Sequence, residues 1–198
     1  MAKPVEFWFE FASTYSYLAA ARVEAACAAA GVPLVWRPFL LGPVFGAQGM
    51  SDSPFNIYPV KGAYMWADMA RCCADLNLPF AKPSSFPRGS LLAARVAAVH
   101  ADADWIGEFV RSVYHANFAE DRDISDDAEI VAVLTQVGQD AASVIAAATT
   151  VEGKAMLRAA TEEALDRGIF GAPSFLVDGT LFWGNDRMDQ ALRHAQGA

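Results

Sequence analysis

The chain is short of the residues that dithiol redox chemistry, metal binding and polyanion binding need. Only three of its 198 residues are cysteine, Cys27, Cys72 and Cys73, and no two stand in C-x-x-C spacing. An odd count without that spacing excludes a disulfide framework and a dithiol redox motif, and it fits a reducing, cytoplasmic setting. Its three histidines, His100, His115 and His194, have no ligand spacing, so no metal is expected. The acidic stretch 120–127 is not a calcium loop. Counted from Asp121, the sixth position is Asp126 rather than glycine and the twelfth is Ala132 rather than glutamate. It reads as a solvated loop with Ser125 capping a helix. Basic residues are also few: 15 Lys and Arg against 23 Asp and Glu leave a net charge of −8. Nucleic acid and anionic membranes need a basic face, so neither is expected as the main partner. No apolar run reaches the ~18 residues of a membrane span. Met1-Ala2-Lys3-Pro4 passes straight into a strand, so no secretory signal is expected. There is no Walker loop and no G-x-G-x-x-G after a strand.

What is present is apolar mass. Hydrophobic residues make up 54% of the chain and charged residues 19%, enough for a sizeable core in one domain, or one domain with an insertion. Residues 4–11 read as a buried strand and 14–30 as a helix stopped by Gly31. Residues 34–39 read as a second strand, whose pairing ends at Pro38. This βαβ unit implies parallel strands. Residues 40–60, rich in Gly, Pro, Ser and Asn, read as a long loop. From 61 to 168 the periodicity is helical, with Met65, Met69 and Leu76 on one face and Leu92, Val96 and Val99 on another. Residues 174–177 and 180–183 then form a hairpin about Asp178-Gly179. A final helix follows at 186–195, capped by Asn185 or Asp186. A lone βαβ unit or a lone hairpin is not a stable core, so the two ends must share one sheet. The expected architecture is α/β: residues 1–60 and 169–198 form one discontinuous domain, and 61–168 an inserted helical domain. The cleft between them is the natural place for a site.

Four segments could carry chemistry there. Ser13 stands where the first strand meets the first helix. Alone it reads as a plain N-cap; the same geometry also suits a hydroxyl that donates to a bound sulfur anion, a reading that the proline strand lifts. Gly171-Ala172-Pro173 is either a simple turn or a cis-proline turn presenting the Ala172 backbone to an extended peptide. Asn185 and Asp186 either cap the last helix or hold the polar end of a ligand. Lys61 begins a helix, where the dipole disfavours a cation, so it is either a solvated lysine or the partner of an anion.

Strand, active-site turn and cis-proline strand form the skeleton of a thioredoxin-like fold, with S-x-x-S (Ser13 to Ser16) in place of C-x-x-C. Five motifs stand in order along the chain: Glu10-Phe11-Ala12-Ser13-Thr14-Tyr15-Ser16-Tyr17-Leu18-Ala19, Pro59–Met65, Phe86-Pro87-Arg88-Gly89-Ser90, Gly168–Phe175 and Phe182–Arg187. By these motifs the chain resembles the 2-hydroxychromene-2-carboxylate isomerases and the related kappa-class glutathione transferases of the thioredoxin-like, DsbA-like superfamily.

The resemblance implies a βαβ…ββα sheet with a large inserted helical domain, a homodimer, and glutathione as cofactor. It makes Ser13 the catalytic contact of the glutathione sulfur. Ala172 and Pro173 would bind the cysteinyl backbone, Asn185 and Asp186 the γ-glutamyl end, and Lys61 a carboxylate. Relatives often have asparagine where Ser51 stands, which makes Asn56 the nearest candidate for that ligand role. Proline usually follows the serine, where this chain has Thr14. The implied activity is glutathione-dependent cis–trans isomerisation of 2-hydroxychromene-2-carboxylate, a small anionic aromatic, to trans-o-hydroxybenzylidenepyruvate through a thiolate adduct. A kappa-like transferase or peroxidase and a non-catalytic peptide-binding protein are the alternatives.

Overall fold

The structure is a computed structural model and describes residues 2–197. It starts with strand β1 (Val5–Phe9), helices α1 (Thr14–Ala20) and α2 (Val23–Ala30), and strand β2 (Leu34–Pro38). Helices α3 (Leu41–Ala47), α4 (Pro54–Ile57), α5 (Pro59–Asp75), α6 (Leu91–Val99) and α7 (Ile106–Phe118) follow. Next come α8 (Asp127–Gln136), α9 (Ala141–Thr149) and α10 (Val151–Asp166). The chain closes with β3 (Ser174–Val177), β4 (Thr180–Trp183), a 3-10 turn at Asn185–Arg187 and α11 (Met188–Gln196).

The two chain ends do share one sheet, in the order β2-β1-β3-β4. β1 runs parallel to β2, with Phe7 opposite Trp36, and antiparallel to β3, with Phe7 opposite Phe175. The period of two in β1 sorts its aromatics by face. Val5, Phe7 and Phe9 join the larger core, with Phe175, Val177 and the apolar faces of α1, α2, α5, α6, α7 and α11. Trp8 points the other way, into a smaller cluster with Phe39, Val44, Ala164, Ile169 and Leu176. Both faces of the sheet are therefore covered, as a sheet with a parallel pair requires. Phe7 stacks on Phe9 at 5.2 Å and on Phe175 at 5.5 Å, which locks β1 to β3. The hairpin turn is as expected: Asp178 (φ 49) and Gly179 (φ 79) both take the left-handed backbone of a two-residue turn.

Four local expectations are corrected. Residues 14–30 are two helices, not one. Arg22, at φ −120 between them, donates from Nε to the Leu18 carbonyl and from Nη2 to Asn185, so a tertiary contact breaks the helix without Pro or Gly. Residues 40–60 are not a structureless loop, because they hold α3 and α4. α4 opens on Pro54, with the Ser53 hydroxyl accepting from the Phe55 N–H, a combination that favours a helix start. The cap of α8 is Asp126, which accepts from the Ala128 N–H, while Ser125 hydrogen-bonds Asp123 instead. Neither Asn185 nor Asp186 caps α11 by its side chain, since both lie in the 3-10 turn before it.

Candidate functional site

β1 ends at Phe9, and residues 10–13 make the turn that sets Ser13 at the start of α1. Three bonds hold this turn. The Ser13 N–H donates to the Glu10 carbonyl at 2.9 Å, and the Tyr114 hydroxyl donates to the same oxygen at 2.8 Å. The Asn117 side-chain amide donates to the Phe11 carbonyl at 3.1 Å. Tyr114 and Asn117 sit on α7, so a helix of the middle block carries the turn.

Ser13 itself is buried. Its hydroxyl oxygen accepts from the Ser16 N–H at 3.3 Å and caps α1. Its proton goes to the Ala172 carbonyl at 3.0 Å. The peptide bond Ala172–Pro173 is cis. The turn at Ser13 and the proline turn are thus joined by one hydrogen bond. Beside Ser13, the Thr14 hydroxyl oxygen is buried and has no partner among the described residues.

These groups border a cleft of ≈ 820 Å³. Ser13, Ala172 and Lys61 line it; Pro173, Asn56, Asn185 and Asp186 do not. Lys61 stands in the first turn of α5 with its ammonium 5.7 Å from the Phe55 ring centre, and makes no ion pair among the described residues. Asn56 donates to Asp52 at 3.0 Å and to the Phe86 carbonyl at 3.1 Å, which ties two cleft walls together. Asn185 accepts from Arg22 at 2.8 Å. Asp186 is exposed and pairs with Arg187. The Pro173 carbonyl accepts from the Gly184 N–H. Much of the remaining lining is apolar or aromatic, including Leu40, Phe45, Met50, Phe86, Phe170 and Trp183.

Among the described residues, no cysteine lines the cleft. Burial pushes the Cys27 and Cys73 thiols up to about 11, and Cys72 is raised as well by burial and the nearby Asp68 carboxylate. None is a thiolate near neutral pH, and the thiolate is the reactive form. Sulfur chemistry in this cleft therefore needs a thiol from outside the chain.

Three lining residues carry polar groups that sequence reasoning left without a role. Arg88 is a buried cation. It donates to Asp121, to the Asn117 side chain at 3.1 Å, and to the Arg122 carbonyl at 2.9 Å. Its Nη groups tie loops together, while its Nε is buried without a hydrogen-bond partner among the described residues. Tyr15 donates to Asp68 at 2.9 Å, pinning α5 to α1, and its hydroxyl is raised well above the usual tyrosine range by burial and that carboxylate. Glu10 is buried, with one oxygen accepting from the Ala12 N–H at 3.0 Å and the other from the Ser90 hydroxyl. Burial raises its carboxyl to about 7 despite both bonds. Arg88 and Ser90 share the short Phe86–Ser90 segment; a charged residue among loop apolars was the available signal for Arg88, and Ser90 had none of its own.

The chain matches the DSBA-like thioredoxin domain family over residues 4–196. It is 32% identical over 191 residues to a 2-hydroxychromene-2-carboxylate isomerase of Sphingobium xenophagum, covering 96% of each chain. The chain belongs to this isomerase family of DSBA-like thioredoxin domains. It is also 27% identical to Glutathione s-transferase kappa 2 of Caenorhabditis elegans, over 95% of this chain and 89% of that one. Its fold matches a solved 2-hydroxychromene-2-carboxylate isomerase with a TM-score of 0.86, at 23% identity over 98% and 94% of the two chains. Among the described residues, no helix is long and apolar enough to cross a membrane.

Proposed function

We propose that this protein isomerises 2-hydroxychromene-2-carboxylate, or a close aromatic relative, with glutathione as cofactor. One observation carries the reading: a buried serine hydroxyl bridges the active-site turn and the cis-proline turn in a cleft with no thiol of its own. The family supplies the reaction class, because relatives bear the name of that isomerase.

The residues present suit glutathione. The unpartnered Thr14 hydroxyl beside Ser13 is a polar group that a ligand could satisfy. Lys61 is a cation without an ion-pair partner among the described residues, suited to a carboxylate. Ala172 offers backbone to an extended peptide. When bound, glutathione supplies the sulfur nucleophile that lets a conjugated double bond turn.

Ser13 then has one role. Its proton swings from the Ala172 carbonyl toward the sulfur and favours the anion, while the oxygen keeps capping α1. The apolar walls exclude water and strengthen that hydrogen bond. Lys61 orients an anionic end. The same site on an electrophile would act as a kappa-like transferase, a reading favoured by the kappa relative. A homodimer and a cytoplasmic setting complete the proposal.

The test is turnover of 2-hydroxychromene-2-carboxylate with and without glutathione, beside conjugation of a standard electrophile. Glutathione-dependent isomerisation supports the first reading. Conjugation alone moves the assignment to a transferase, and neither activity removes both.

A further inference from the structure

The proposed substrate is a cyclic hemiketal, and opening its ring needs a proton moved between two oxygens. Neither Ser13 nor Lys61 suits that proton transfer. The Ser13 hydroxyl is engaged with the Ala172 carbonyl and the Ser16 N–H, and the Lys61 side chain offers donors but no acceptor. Asp52, the other carboxylate on the lining, is exposed and accepts from the Ser53 N–H and Asn56. Glu10 is different. It lies on the cleft lining three residues before Ser13, at 6% exposure. Among the described residues its carboxyl accepts from two uncharged donors: the Ala12 N–H of its own turn and the Ser90 hydroxyl at the start of α6. From α7 it faces the neutral Tyr114, whose hydroxyl bonds the Glu10 carbonyl. No cation among the described residues stands within ion-pair distance of it. A carboxyl so placed holds or releases its proton near neutral pH, and a buried carboxyl without a counter-ion at a cleft is costly for stability.

We propose that Glu10 is a second catalytic residue, the proton carrier that opens the hemiketal ring of the substrate, a step that needs no glutathione. This rests on the reading above for its substrate. The hemiketal hydroxyl gives its proton to the Glu10 carboxylate. Its oxygen electrons form the ketone C=O as the ring C–O bond breaks. That bond's electron pair stays on the phenolic oxygen, which takes the proton back from Glu10. The carboxylate is restored, and nothing is oxidised or reduced. Burial raises the carboxyl to about 7, so both of its forms are populated where each is needed.

The experiment measures exchange between closed and ring-opened substrate by NMR, with protein but no glutathione, for wild type and Glu10→Gln. Glutathione binding is followed separately by thiolate absorbance. The amide keeps the size and an acceptor oxygen but cannot carry the proton. Wild type should speed the exchange, and Glu10→Gln should lose it by about 10²- to 10⁴-fold while still binding glutathione. Equal rates in the two proteins, or no acceleration by wild type, would overturn the role of Glu10 while leaving the glutathione reading intact. Fast exchange in a wild type that fails to bind glutathione would sink that reading and keep this one. Should Glu10→Gln not fold, Ser90→Ala decides. It removes a hydrogen bond that holds the carboxyl down, so the pH midpoint of ring opening should rise. An unchanged midpoint would overturn the proposal.

Discussion

The Ser13 hydroxyl donates to the carbonyl of Ala172, 159 residues further along the chain, at 3.0 Å, and this bond closes the site. The same oxygen caps α1 through the Ser16 N–H. Ser13→Ala removes the cap and leaves the Ala172 carbonyl without this partner. The expected cost is about 1–2 kcal/mol, read as a lower urea midpoint at unchanged slope. No loss of stability would mean that water replaces both bonds.

Glu10 makes stability depend on pH with a definite sign. The neutral carboxyl is the favoured buried form, so the folded chain keeps a proton that the unfolded chain releases above about pH 4.5. This group's contribution is complete below that pH and is lost as pH rises through about 7, in all by roughly 3 kcal/mol. Unfolding of wild type and Glu10→Gln from pH 4 to 8 isolates it. The difference between the two should grow from about pH 4.5 to about 7 and level off above that, in favour of the amide at high pH.

Gly62 allows α5 to start against α4. A Cβ there would lie 2.1 Å from the Phe55 carbonyl oxygen, which is backbone and cannot swing aside. Gly62→Ala should displace the segment that carries Ser53, Pro54 and Phe55, all on the cleft lining. A loss of about 1–3 kcal/mol is expected with a raised KM, checked by denaturation and steady-state kinetics.

Lys61 tests the anion contact. Its side chain holds no ion pair among the described residues, so Lys61→Ala should leave stability within about 0.5 kcal/mol of wild type. Affinity for an anionic ligand should fall about tenfold, and its salt dependence should weaken. Unchanged affinity at low salt would place the anion elsewhere.

Strand periodicity and turn chemistry made the skeleton legible. Phe7, Trp8 and Phe9 flanking a Ser-Thr turn, and Asp178-Gly179 between two apolar runs, leave few topologies open. That both turns belong to one sheet was legible, but the hydrogen bond from Ser13 to the Ala172 carbonyl was not. What was hidden is tertiary. Nothing local marks Arg22 as a helix break, where its side chain reaches Asn185 at the other end of the chain. The Gly- and Pro-rich run 40–60 resembles a loop, yet packing on α5 and α10 makes it helical. Glu10 is a motif residue whose carboxyl meets Ser90, 80 residues away, and no periodicity reports that contact.

The decisive measurement is thiolate absorbance of glutathione bound to the protein across pH, wild type beside Ser13→Ala. The thiol pKa should be lowered in wild type and restored in the variant. Binding without a shift, or the same shift in both proteins, would contradict the role of Ser13, and no binding at millimolar glutathione would contradict the glutathione site itself.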